Sequence, residues 1–270
     1  MREPKELAVL IAAARRYVED RVSMGETSIV LGPEATPRLA GEEPTPRRTD
    51  GAAPSSSASR AREVVRPGAA TAGRLEAAES PEVEVDRRAL GELEKQVKKC
   101  TLCPLHKTRK QAVFGTGSGR TGLVFVGEAP GRDEDLQGAP FVGRAGQLLT
   151  RIIEAIKFSR EDVYITNVIK CRPEGNRDPL PEEVRLCSPY LAGQMELLKP
   201  KAICALGRFA AEALGGVKLS MAEYRRADLS YNGVRVIATY HPAACLRNPD
   251  LKKLVWEDVQ KLRDVWKNFA

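Results

Sequence analysis

The sequence is poor in histidine and in aromatic residues, with two His and 5% Phe, Trp and Tyr among 270 residues. It has no apolar run near the roughly 20 residues that span a bilayer, which excludes a transmembrane helix. Six Cys in a chain of this length are too few for a disulfide-stapled scaffold, so a reducing compartment is expected. The N-terminus lacks a secretory pattern: Glu3, Glu6, Glu19 and Asp20 are spread through it, without a small-residue cleavage site. Aromatic residues are absent from 26–81, where prolines recur from Pro33 to Pro81 around the run Ser55-Ser56-Ser57. Such a stretch cannot bury enough surface to offset its ordering entropy, so 26–85 is expected to be a disordered linker.

What precedes the linker is patterned. Leu7, Leu10, Ile11, Ala14, Val18 and Val22 fall on one helical face, which predicts an isolated amphipathic helix within 1–25. Such a helix docks on an unidentified protein or folds back on the core; the plainer alternative is a tail with residual helicity. The chain carries 43 Lys+Arg against 36 Asp+Glu, and the whole positive excess lies beyond residue 90. A basic compact domain favours a polyanionic partner without specifying which.

Beyond the linker, apolar runs at 123–126, 163–166, 202–206 and 234–239 read as strands. The first three are nearly continuous, as expected of strands covered on both faces. Helical spacing marks 145–157, 181–198, 208–214 and 250–269, and Pro181 with Glu182 and Glu183 suits a first helical turn. This alternation predicts an α/β domain over 86–270, a three-layer α/β/α sandwich around a four-stranded, mainly parallel sheet. Ligand sites in such sheets gather at the carboxyl ends of strands.

The chemistry-bearing residues follow those strand ends. Gly127-Glu128-Ala129-Pro130-Gly131 makes a tight loop that is neither a dinucleotide nor a P-loop fingerprint. Asn167 offers both a donor and an acceptor, as reading a base edge requires, although such an Asn more often satisfies local backbone groups. One of the two histidines, His241, ends the last strand and is held against Pro242. Cys100 and Cys103 form a C-x2-C pair, while Cys171 and Cys187 have 15 residues between them. Four such thiolates bind either zinc or an iron–sulfur cluster, and the wide second pair leans toward the cluster. Cys204, within an apolar strand, reads as a small core hydrophobe.

Together these segments resemble the family 4 uracil-DNA glycosylases, the iron–sulfur branch of the uracil-DNA glycosylase superfamily. The resemblance rests on Cys-Thr-Leu-Cys-Pro-Leu at 100–105, Gly-Glu-Ala-Pro-Gly at 127–131 and Pro-Phe-Val-Gly-Arg-Ala-Gly at 140–146. It continues through Thr-Asn-Val-Ile-Lys-Cys-Arg-Pro at 166–173, Cys187 and His-Pro-Ala-Ala at 241–244. It covers residues 90–270 and leaves the first 90 outside.

The resemblance implies the uracil-DNA glycosylase fold and a monofunctional enzyme that flips uracil from DNA and hydrolyses its N-glycosidic bond. Phe141 would stack on the base, Asn167 bond its Watson–Crick edge and His241 donate to O2. Glu134 would reject thymine's methyl, and Glu128 would support the sugar cation or position water, with Gly127, Ala129 and Gly131 lining the pocket. A structural 4Fe-4S cluster would sit on Cys100, Cys103, Cys171 and Cys187. Lys170, Arg172, Arg177 and Arg247 would contact phosphates. Cys245 stands where relatives commonly carry a leucine, so either Cys245 or Leu246 forms the DNA wedge, or insertion is weaker. The Lys-Arg-Arg-Ile-His insertion of covalently trapping relatives is absent, and trapping is not expected. The implied partner is uracil-containing DNA, single- or double-stranded, handled by a monomeric core in the cytoplasm and at the nucleoid. The competing readings are a non-catalytic iron–sulfur DNA-binding or polymerase-associated protein on the same fold, and a zinc protein.

Overall fold

Residues 82–268 are described by a computed structural model; the helix expected within 1–25 and nearly all of the linker expected over 26–85 lie outside the described residues. The linker boundary needs correction at its end. Residues 82–85 run extended along the domain, with Val83 N donating to Arg120 O at 2.8 Å and Val85 packed against the core.

Five strands form one sheet in the order β2-β1-β3-β5-β4: β1 (Leu123–Gly127), β2 (Tyr164–Asn167), β3 (Ala202–Leu206), β4 (Leu229–Tyr231) and β5 (Val234–Thr239). The expected sheet of four strands is thus corrected to five. The four anticipated strands pair in parallel, and β4 adds an antiparallel edge against β5. Its connection to β5 places Asn232 and Gly233 at φ 48° and 80°, as a two-residue hairpin turn of matching twist requires. Only Leu229 of this strand is buried, so it presents no apolar run to the reader.

Side chains of β1 alternate between two cores because strand side chains point to opposite faces. Val124 and Val126 join the core made with α1 (Arg87–Lys99), α4 (Pro181–Leu198), α5 (Arg208–Gly215) and Tyr224 of α6 (Met221–Tyr224). Leu123 and Phe125 join the other, made with α3 (Arg144–Ala155) and α8 (Leu251–Lys267). Burial of each such Leu, Val or Phe contributes about 1.5–3 kcal/mol. The result is the expected α/β/α layering. Helix α4 starts at Pro181 as the sequence predicts, and Glu183 accepts the Leu180 N–H at 2.8 Å to cap it. Two short helices at the strand ends went unanticipated, α2 (Arg132–Gln137) and α7 (Pro242–Arg247).

Candidate active site and cysteine cavity

The parallel pairing brings the carboxyl ends of β1, β2, β3 and β5 to one edge of the sheet. Gly127 and Asn167 are register partners there. A Cβ on Gly127 would collide with Asn167 Oδ1 and with the Phe141 ring, so glycine lets these two side chains lie against the strand end. Asn167 is 2% exposed, and its Oδ1 is buried with no hydrogen-bond partner among the described residues. A buried acceptor in that condition costs free energy unless a ligand supplies a donor.

Phe141 is held in a left-handed backbone conformation, φ 53°, and is 6% exposed. For an aromatic residue this costs about 1–3 kcal/mol, which surrounding contacts must impose. Glu134 Oε1 accepts the N–H groups of Val142 and Gly143 at 2.9 and 3.0 Å. On the other side, Arg160 donates to Pro140 O at 2.5 Å, and Gly146 leaves room for the Phe141 carbonyl. The ring so held lies 5.5 Å from His241, centroid to centroid, with 32° between planes.

His241 caps α7 through its ring: Nδ1 accepts the Ala243 N–H at 3.1 Å. The backbone donor leaves the proton on Nε2. Burial, with Arg247 nearby, pushes the imidazole down to about 4 despite the opposing charge of Glu134. The ring is therefore neutral at neutral pH and retains a donor on its free nitrogen. Gly207, at φ 94°, closes β3 under His241, whose Cβ would stand 3.1 Å from an added Cβ.

Glu128 is half-buried, and burial, reinforced by Asp178, raises its carboxyl above the ordinary range while Arg208 opposes. Its backbone carbonyl accepts the Ile169 N–H at 3.1 Å. Gly131 sits beside the Glu134 carboxylate. Ala129 instead packs toward the core on the α1 and α4 side.

The four cysteines come from separate places: Cys100 at the end of α1, Cys103 before a 3-10 turn (Pro104–Lys107), Cys171 after β2 and Cys187 within α4. They line one small cavity, with Arg109, Lys170 and Tyr190 also in its wall. No group of three or more His, Cys, Asp or Glu among the described residues has the geometry to hold a metal ion. Arg109 donates to Cys171 Sγ at 2.9 Å and to the Cys100 and Lys98 carbonyls at 2.9 and 3.0 Å. Burial raises the Cys103, Cys171 and Cys187 thiols, the last to about 11.

One expected phosphate contact is corrected. Lys170 is 1% exposed, and its ammonium is spent on interior oxygens; a side chain so enclosed cannot meet DNA. Leu246 and Arg247 are exposed, whereas Cys245 is 1% exposed in the core. Arg172 bonds Asn176 Oδ1 at 2.7 Å. Arg177 grips Glu183 through two bonds of 2.9 and 2.6 Å.

A family model described as the uracil DNA glycosylase superfamily matches residues 114–263. A protein of Archaeoglobus fulgidus named type-4 uracil-DNA glycosylase is 46% identical over 188 residues, covering 66% of this chain and 93% of its own. The chain belongs to the type-4 uracil-DNA glycosylases. Type-4 proteins of Saccharolobus solfataricus and Thermotoga maritima are each 46% identical as well, over 82% and 90% of their lengths. The region matched by the superfamily model contains every strand end described above.

Arg160 and Gly207 shape this type-4 site without having been anticipated. Only the positive φ of Phe141 and Gly207 and the tertiary partners of Arg160 disclose them.

Proposed function

We propose that this chain excises uracil from DNA as a monofunctional glycosylase, leaving an abasic site in the first step of base excision repair. The observation that carries the reading is the unpartnered Asn167 Oδ1, buried at Gly127 beside the Phe141 ring, which in turn lies 5.5 Å from the His241 ring. Uracil's N3–H is the donor this acceptor lacks, and cytosine, with an acceptor at N3, cannot supply it.

Phe141 stacks on the extruded base, and the neutral His241 Nε2–H donates to O2. As the C1′–N1 bond breaks, the electron pair leaves with uracil and its charge settles largely on O2. A fixed donor facing that oxygen stabilises the transition state more than the bound substrate. Water then adds to C1′ and gives up a proton; Glu128 supports the sugar cation or positions that water. Glu134, held beside Phe141, occupies the space a thymine methyl would need, and Gly127 and Gly131 form the wall.

Cys100, Cys103, Cys171 and Cys187 would hold a 4Fe-4S cluster, since four thiols spread around a cavity suit a four-iron cube. The cluster acts as a structural staple between α1, α4 and the end of β2. Arg172, Arg177 and Arg247 contact phosphates and Leu246 fills the gap left by the flipped base. DNA is taken single- or double-stranded, by a monomeric core working in the cytoplasm at the nucleoid. No helix among the described residues is long and apolar enough to cross a membrane.

Single-turnover cleavage of a uracil-containing oligonucleotide tests the reading. His241→Ala should slow it by about 10² to 10³, the worth of one such donor, with little change in binding. A rate within a fewfold of wild type removes His241 from the mechanism. A wild-type protein that retards the oligonucleotide without producing alkali-labile sites is a binder and no enzyme.

A further inference from the structure

Lys170 Nζ has three hydrogen-bond partners, none of them a carboxylate. It donates to Asn167 O at 2.7 Å, Thr166 Oγ1 at 2.8 Å and Gln194 Oε1 at 2.6 Å. The acceptors are themselves anchored. Thr166 donates to Phe114 O at 2.7 Å, and Gln194 Nε2 donates to Phe114 O and Tyr164 Oη at 3.0 and 3.1 Å. Thr166, Gln194 and Lys170 are all at most 1% exposed. Burying an ammonium is costly even with Cys171 and Cys187 in the same cavity wall, and a methionine of similar length would avoid the cost.

Asn167 stands at the end of this network. Its Oδ1 has no partner among the described residues, so its aim depends on the backbone that carries it and on the space beside Gly127. We propose that Lys170 is a positioning residue for base recognition: by holding the Asn167 carbonyl against the Thr166–Gln194 network, it fixes the peptide plane from which the Asn167 side chain meets the base. This inference rests on the reading of Asn167 as the group that binds uracil.

Gln194 lies seven residues after Cys187 on the same helix, and Cys171 directly follows Lys170. The base-reading end of β2 and two of the cavity's cysteines are therefore tied to one buried network. A misplacement of about 1 Å at a recognition group costs up to 10²-fold in rate, so a small shift of the peptide suffices.

The experiment is a double-mutant cycle in the full-length protein, read by single-turnover cleavage of a uracil oligonucleotide and by oligonucleotide affinity. Lys170→Met should lower the rate at least about tenfold, while affinity, set mainly by phosphate contacts, changes little. In the Asn167→Ala background the same substitution should cost less than about twofold, because nothing remains to be aimed. Gln194→Leu, which removes one of the three acceptors, should repeat the pattern with a smaller loss; it decides the matter if Lys170→Met fails to fold or loses its visible chromophore. Equal losses in both backgrounds, or no loss in either, overturn the proposal while leaving the role of Asn167 intact. An Asn167→Ala protein as fast as wild type overturns instead the reading on which the proposal rests.

Discussion

Glu134 reaches the backbone at Val142, its Oε1 accepting that N–H at 2.9 Å and the next one, of Gly143, at 3.0 Å. One carboxylate oxygen thus fixes the turn that forces Phe141 to φ 53°. Glu134 is expected to hold the stacking ring as well as to exclude a methyl group. Glu134→Ala leaves two N–H groups without that acceptor and should destabilise the loop by about 1–3 kcal/mol. Glu134→Gln keeps an acceptor oxygen and should retain most of the rate on uracil. Comparing the two by single-turnover assay and thermal melting checks this, and equal losses would refute the positioning role.

Stability should depend on pH through His241. Its folded value, about 4, lies below the ordinary 6.5, so between these pH values the unfolded chain binds a proton that the folded chain does not. Stability contributed in this way rises with pH across the window and is lost as pH falls through it. Glu128, raised by burial, acts in the opposite sense, so the informative comparison is between wild type and His241→Gln. Melting temperatures should fall more steeply toward acid in the wild type. Parallel profiles would show that His241 is not held neutral.

The thiol cavity yields a prediction independent of catalysis. Cys171→Ala or Cys187→Ala should abolish the brown colour of anaerobically purified protein and lower its melting temperature, whereas Cys204→Ala, in β3, should keep the colour. Arg109→Met should keep the colour but lose it faster to a chelator, because Arg109 bonds Cys171 Sγ and two carbonyls of the Cys100 segment. Colourless wild-type protein carrying zinc would overturn the cluster assignment.

Salt dependence separates surface cations by their partners. Arg247 is exposed, so Arg247→Gln should reduce the slope of log affinity against log salt by about 0.9 on duplex DNA. Arg177, already spent on Glu183, should give a smaller change when replaced. Identical slopes for both variants and wild type would place the DNA elsewhere.

Much of the architecture was legible because it is local. Pro181 with two acids behind it starts α4 where expected, and the runs at 202–206 and 234–239 are strands over those same residues. Strand β4 was not legible: three residues with one buried side chain carry no periodicity, and only pairing with β5 makes them a strand. Lys170 was expected on a phosphate because it follows a strand end in a basic segment, and residues that help bury it are remote in sequence. Its partner Gln194 is 24 residues away, and Phe114, which anchors both Thr166 and Gln194, is 52 and 80 residues from them.

The residue types alone determined which groups can do chemistry here: the strand-end Asn167 and His241, the Gly127 loop and four paired-off cysteines, together with the alternation that builds a parallel sheet. Tertiary structure decided what those groups are ready to do. It left Asn167 Oδ1 without a partner, put a backbone donor on His241 Nδ1, bent Phe141 into place through Glu134 and Arg160, and buried Lys170 beneath them. Such properties come from contacts between segments far apart in the chain, where desolvation and hydrogen bonding act on atoms that sequence proximity cannot bring together.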